Sequence, residues 1–455
     1  MTYIFEQYPL DGYPDIVFYL VTVIGAGLIV IKPKWAFLFA VVCLTGKNAF
    51  AAVFTRTALF GEYLNLNDLC LWIAVAALVI DVCRQSVKIV IPKILMFLIA
   101  IVVFGSVQSL LKYGSEVFVL RSIWAVAIFP IMFLVSVNMV RTNDDARLFY
   151  WALFIGAVFA TIQHMVYLSH SYSLGITEGA KLRTIAYITN GGLFIIATAI
   201  FAKLNEKRHS IFYYCGVVLM AISALMNQTR QLYVVFTLTV ITMFFMLRRH
   251  INVKSTLIKI SFVAITVIMV SSYAFVNLDM SEIIGERVEF LHEREAFESS
   301  YLTRWMGIQT EVRLWLDSTI ILGVGTAYPP EITEPRRSGG DMDDIWRTGA
   351  LKHVALSSYL ANYGLVGAMV YLLFLPLYTI KAARFMLQKD YFNYAGKIAL
   401  LAVAVALMDM FNLFGSMLNT SAVLAHTPAL IYGAIWGLYI HRNRFGDYDD
   451  SVAVS

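Results

Sequence analysis

Between Lys93 and Lys112 the chain reads ILMFLIAIVVFGSVQSLL, residues 94–111, without one charged side chain. As a helix rising ~1.5 Å per residue, this run covers about 27 Å, close to the ~30 Å hydrocarbon thickness of a bilayer. Similar apolar runs recur at 16–31, 35–54, 68–83, 117–140, 148–168, 185–202, 211–227, 231–247, 256–276, 354–380, 398–414 and 427–440. The expectation is an all-α, polytopic membrane helix bundle of about thirteen spans. Composition agrees: 59% of the 455 residues are hydrophobic and only 14% charged, too few charges to coat a soluble domain of this size. A transmembrane β-barrel is excluded, because its strands alternate over only ~10 residues. The first fifteen residues are polar and acidic with no basic n-region, so no cleavable signal peptide is expected.

Charge placement orients the bundle. Lys32, Lys34, Arg84, Lys88, Lys93, Arg141, Arg147, Lys203, Lys207, Arg208, Arg248, Arg249, Lys254, Lys259, Lys381, Arg384, Lys389, Lys397, Arg442 and Arg444 fall in alternate inter-span segments. The positive-inside bias makes that side the cytoplasm. The N-terminus is then outside and the C-terminus inside. Four units follow: 1–276 as an N-terminal bundle of about ten spans, 277–352 as a large external loop, 353–440 as the C-terminal spans and 441–455 as a cytoplasmic tail. The loop holds 14 of the 30 acidic residues, as a non-cytoplasmic segment can. Within it, Trp305, Ile308, Val312, Trp315 and Leu316 share one helical face, with Thr303 as N-cap, which predicts an amphipathic helix against membrane or bundle. "GVGTAYPP" and "EPRRSGGD" then break the chain into turns. Cys43, Cys70, Cys83 and Cys215 lack metal or disulfide spacing and read as small core residues.

The remaining basic residues lie on the wrong side. Lys47, Arg56, Lys112, Arg121, Arg183, Arg230 and Arg304 map to the external half of the membrane or its rim. A cation facing hydrocarbon is costly, so each needs a partner. Arg56 and Lys112 are accounted for by snorkelling to lipid phosphates. Several arginines around one external cavity suit a dianionic headgroup, since the guanidinium fork donates two parallel hydrogen bonds to phosphate oxygens. His353 stands where the polar loop ends and the next apolar run begins, in "GALKHVALSSYLANYGLVG" at residues 349–367.

Four stretches resemble one family, the O-antigen polymerase/O-antigen ligase membrane proteins. "KLRTIAYITNGGLFI" (181–195) is similar to that family's Arg-x-x-Gly…Asn-Pro-Asn segment and supplies Arg183 and Asn190, with the usual Gly and Pro absent. "NQTRQLYVVF" (227–236) is similar to its Ser/Thr-Arg-Gly/Gln signature and supplies Arg230. "LTRWMGIQTEVRLWLDSTIILGVG" (302–325) resembles its Ser-Arg…Trp…Pro-x-x-Gly-x-Gly run and supplies Arg304, with Ser318 at the place of the Pro. Residues 349–367 resemble its His-Asn-x-x-Leu…Gly-x-x-Gly segment, with Val354 following His353 where the family has Asn. The likeness covers roughly residues 180–375.

The resemblance implies a glycosyltransferase that takes a polyprenyl-diphosphate-linked oligosaccharide at the external face of a bacterial plasma membrane. Arg183, Arg230 and Arg304, joined by Arg121 on its external placement, are then expected to bind the diphosphate, and His353 to take the proton of the acceptor hydroxyl, the alternative being a structural histidine that caps the following helix. The expected partners are membrane lipids, the lipid-linked glycan and chain-length regulator proteins; no cofactor and no nucleic acid are expected. Polymerisation of repeat units is the leading reading, on the length of the external loop and its two arginine-bearing turns, Arg336/Arg337 and Arg347. Ligation to a lipid A core or to protein is the alternative. The non-enzyme alternative is a flippase for lipid-linked oligosaccharides, which would carry internal repeats and midplane charges; no 20–50-residue repeat is present.

Asp409, in "LMDMFNLFG", is a lone carboxylate toward the external end of its span. It either orients His353 or contacts the acceptor sugar, or it neutralises Arg121 or Lys47 as a structural pair. Asp341, Asp343 and Asp344 are read as a solvated acidic turn ahead of a cation site, "GVG" at 323–325 lacks the context of a nucleotide loop, and Gln163–His164 reads as a core pair.

Overall fold

The computed structural model describes residues 14–53, 57–59, 62–64, 66–85, 88–173, 190–202, 210–226, 230–248, 258, 261, 308–309, 311–327, 355–390, 393–411 and 426–445. The helices in chain order are α1 Pro14–Ile31, α2 Pro33–Val53, α3 Leu66–Gln85, α4 Lys93–Tyr113, α5 Val117–Met139, α6 Asn143–Ser173, α7 Asn190–Phe201, α8 Ser210–Met226 and α9 Arg230–Leu247. They continue with α10 Ala355–Met369, a π-helical turn Val370–Phe374, α11 Leu375–Asp390, α12 Tyr394–Phe411 and α13 His426–Phe445. Among the described residues, the paired strands are a small antiparallel hairpin between α2 and α3, β1 Thr57–Leu59 and β2 Glu62–Leu64, with Ala58 opposite Tyr63.

Helices fall on every expected segment except 256–276, which lies outside the described residues apart from 258 and 261. The expected count of about thirteen crossings is corrected. Among the described residues, five stretches are long and apolar enough to cross a membrane: Lys93–Tyr113, Ser122–Met139, Asn143–Ile162, Ala355–Gln388 and Tyr394–Phe411. Five more apolar stretches, Tyr19–Ile31, Pro33–Gly46, Gly192–Phe201, Ile211–Ala224 and Val234–Leu247, span 10–17 described residues within α1, α2, α7, α8 and α9. Charge sets α3 apart, since Asp68, Asp81 and Arg84 all fall within that helix.

The basic segments gather at one end of the bundle. Lys34 pairs with Asp145 at 2.8 Å, Arg141 with Asp81 at 3.7 Å and Arg442 with Asp390 at 3.0 Å. Arg84 donates to the Val30 carbonyl at 2.6 Å, and Asn138 exchanges hydrogen bonds with the backbone of Val90. Lys397 does not sit in a loop. It is buried in the first turn of α12, its ammonium 3.8 Å above the Tyr394 ring and 6.0 Å from that of Tyr150, a desolvated cation–π arrangement.

Close packing relies on small residues, as expected where lipid removes the hydrophobic drive between helices. α13 lies along α5. A side chain at Gly433 would meet the Phe133 carbonyl at 2.5 Å, and one at Gly437 the Val140 carbonyl at 2.4 Å. Ser136 also donates to the Leu430 carbonyl at 2.7 Å. α12 is the central helix, packed by α6, α7, α9, α11 and α13 and buried from Tyr394 to Asp409. Of the cysteines, Cys70 is buried and Cys43 half-buried, whereas Cys83 and Cys215 are exposed, so the core reading fits only the first two.

Candidate functional site

The end of the bundle opposite the basic clusters is built around a broken helix. α10 is interrupted at Gly364, whose φ of +61° and ψ of −164° suit only glycine. The break frees the carbonyls of Ala361 and Asn362 and the N–H groups of Leu365 and Val366. Residues 319–327 fill it: Val324 N–H donates to the Ala361 carbonyl at 2.8 Å, and Gly325 N–H to that of Asn362 at 2.9 Å. In return Leu365 N–H donates to the Ile320 carbonyl at 3.0 Å and Val366 N–H to that of Ile321 at 3.3 Å. The "GVG" stretch therefore serves neither as a nucleotide loop nor as a free turn; it plugs a transmembrane helix.

Ahead of the plug, residues 311–316 form a helix that carries Glu311 into the interior, where it is 3% exposed. Its carboxyl group accepts from Ser357 at 2.5 Å and from Ser358 at 2.7 Å, both in the first turn of α10. The residues of the expected amphipathic face are not the ones buried in the bundle. Ile308, Val312 and Trp315 are only partly buried and Leu316 is exposed, while the polar Glu311 faces inward. Two good hydrogen bonds to a buried carboxyl group outweigh the burial of one more apolar side chain. Replacing Glu311 with alanine removes the carboxyl group that accepts from both serines and is expected to lower stability by about 2–4 kcal/mol, with glutamine recovering part of it. Thermal unfolding in detergent measures this; an unchanged midpoint for the alanine protein would show that the contact carries no weight.

Asp409 is buried near the end of α12 and accepts a hydrogen bond from the hydroxyl of Tyr432 on α13. Tyr432 leads into an aromatic chain. Phe129 of α5 lies 6.1 Å from Tyr432 and 6.2 Å from Tyr371; Tyr371 stacks on Tyr359 at 5.0 Å and on Tyr363 at 5.7 Å. Tyr359 follows Ser358 directly, so the Glu311 cluster and Asp409 share one buried, tyrosine-rich interior. Inside it, the amide of Asn362 and the hydroxyl of Tyr371 are buried and have no hydrogen-bond partner among the described residues. Buried polar groups are normally satisfied, so these two need an explanation.

Of the residues expected from sequence, Asp409 is placed directly, with Tyr432 as a partner. Arg121 lies on α5 and Arg230 opens α9, each toward the end opposite the basic clusters. Lys47 and His164 lie on α2 and α6. Lys112 is exposed, its ammonium 5.2 Å from the centre of the Tyr113 ring. His353, Arg183, Arg304, Arg56, Arg336, Arg337, Arg347 and Asp341–Asp344 lie outside the described residues. Sequence reasoning missed Glu311, the Ser357–Ser358 pair, Asn362 and Tyr432. A cue existed for one of them: "SSYLANYG" (357–364) is polar for the opening of a transmembrane helix. Set against known proteins, the chain matches no protein-family model and no curated protein.

Proposed function

We propose that this protein is a membrane glycosyltransferase that polymerises polyprenyl-diphosphate-linked oligosaccharide repeat units at the external membrane face. The observation that carries this reading is the polar interior at the end away from the basic clusters. There Asp409–Tyr432 and Glu311–Ser357/Ser358 flank Asn362 and Tyr371, whose amide and hydroxyl have no hydrogen-bond partner among the described residues. Sugars are bound by such a combination of aromatic faces and spare hydrogen-bonding groups. Chain length alone keeps His353 within about 14 Å of Ser357, four residues on.

In the proposed reaction, the acceptor hydroxyl oxygen attacks the anomeric carbon of the donor. The bond from that carbon to the diphosphate oxygen breaks, and polyprenyl diphosphate leaves with the electron pair. Neutral His353 takes the hydroxyl proton. Arg183, Arg230, Arg304 and Arg121 offset the charge growing on the leaving group, which is where preorganised donors act most strongly. Asp409 has room for one of two roles, orienting the base or holding a hydroxyl of the acceptor sugar.

The test needs only the donor. Purified protein given lipid-linked repeat units alone is expected to produce a ladder of longer lipid-linked chains on a gel. A preparation that transfers glycan only after a lipid A core or a protein is added would replace polymerisation with ligation. Absence of transfer to any acceptor, with lipid-linked glycan moved across vesicles, would replace the enzyme with a transporter.

A further inference from the structure

The plug at residues 319–327 sits deeper than an external loop should. Thr326 N–H donates to the carbonyl of Gly105 at 3.1 Å, and Ala327 N–H to the hydroxyl of Ser109 at 3.0 Å. Gly105 and Ser109 stand twelve and sixteen residues beyond Lys93, which marks the basic edge of α4. Along a helix those are rises of about 18 and 24 Å, short of a hydrocarbon core ~30 Å thick. A second ruler agrees: Gly364, against which Ile321 packs, stands seventeen residues before Lys381, a further basic edge, or about 25 Å. Any helix tilt brings these depths closer to the midplane.

Two more features fit hydrocarbon and not water. Every peptide N–H from Leu322 to Ala327 has a protein acceptor, in turn Thr319, Thr319, Ala361, Asn362, Gly105 and Ser109. A loop in water has no need of such completeness, whereas backbone at membrane depth does. The end of the plug next to the broken helix exposes apolar side chains: Ile320 and Ile321 are 50% and 61% exposed, beside Leu365 and Val366 at 47% and 44%, while the exposed Asp317 and Thr319 precede them. The bonds Leu365–Ile320 and Val366–Ile321 make this strip continuous with the outer face of the α10–α11 span.

We infer that residues 319–327 are a re-entrant membrane segment, with Ile320 and Ile321 in contact with the acyl chains of the outer leaflet. The segment seals the tyrosine-rich interior on its lipid side, so that a polar ligand enters from the aqueous face and not laterally between α4 and α10.

Fluorescence quenching tests this. Ile321→Cys, in a background with the four native cysteines changed to serine, is labelled with an environment-sensitive fluorophore and reconstituted into phosphatidylcholine/phosphatidylglycerol vesicles. Acyl-chain doxyl lipid is expected to quench it roughly twofold, as it does a Leu111→Cys control on α4, while aqueous iodide changes it by less than about a tenth. Ile320→Cys gives a second position if the first variant fails to fold. Strong iodide quenching without doxyl quenching at either position, with the Leu111 control behaving as lipid-facing, would overturn the inference.

Discussion

Changing His353 to alanine is expected to remove nearly all glycan transfer while leaving membrane insertion and donor binding in place. The proposed chemistry asks His353 to accept one proton as the new glycosidic bond forms, and a positioned base of that kind is worth roughly 10²–10⁴-fold in rate. The bonds of Glu311 with Ser357 and Ser358 and of Asp409 with Tyr432 are made without the imidazole, so the alanine protein is expected to keep its fold, with an unchanged unfolding temperature as the check. Charge reversal at Arg183, Arg230 or Arg304 has the complementary signature, with donor binding lost. Arg→Lys at the same positions keeps the charge but not the two-pronged fork, and is expected to be tolerated only in part. Turnover of lipid-linked donor, measured beside its equilibrium binding in detergent, separates the two classes. Near wild-type turnover in His353→Ala would remove this residue from the mechanism, and undiminished binding in all three charge reversals would remove the arginines from the donor site.

Gly364→Ala should be the most damaging single-methyl change in the described part of the protein. Gly364 and Gly114 share almost the same backbone, φ +61° with ψ −164° and φ +70° with ψ −161°, a region nearly reserved for glycine. Their surroundings differ. A Cβ at Gly114 meets nothing within 4 Å, whereas at Gly364 it would lie 2.4 Å from the carbonyl of Ile321 and 2.5 Å from the nitrogen of Leu322. Gly114→Ala therefore reports the backbone cost alone, of order 1–3 kcal/mol. Gly364→Ala adds the cost of displacing the plug, about 1–3 kcal/mol more. The plug is itself pinned by Gly323 and Gly325, so it has little freedom to retreat: a Cβ on either would strike Ala361 or Ser109. Thermal unfolding of both variants, with limited proteolysis across 318–327, checks this. Equal losses for the two glycines would mean that the plug is not held where the structure has it.

The same region shows where sequence reasoning succeeds and where it stops. Apolar runs overlie helices α1–α13, with the run 354–380 covering both α10 and α11 and helix ends differing by up to ten residues, because membrane partition sums local side-chain transfer energies and needs no knowledge of neighbours. Alternating lysine and arginine likewise located the end at which Lys34 meets Asp145 and Arg141 meets Asp81, residues far apart in the chain. Asp409 stood out because a lone carboxylate in an apolar run is conspicuous, yet its partner Tyr432 was one tyrosine among 25. Glu311 was hidden for the opposite reason: in a loop with 14 acidic residues one more carboxylate is unremarked, and the amphipathic pattern around it pointed its neighbours inward instead.

Membrane class, helix positions and the end that carries the basic clusters were thus determined by the sequence on its own, since each follows from the composition of a short contiguous window. The break at Gly364, the insertion of residues 319–327 and the burial of Glu311 were decided only in the tertiary structure. Each depends on hydrogen bonds between segments that are remote in the chain, as between Val324 and Ala361 or Glu311 and Ser357. A backbone carbonyl left free by a broken helix must find a donor at membrane depth, and no local window records which remote segment supplies it.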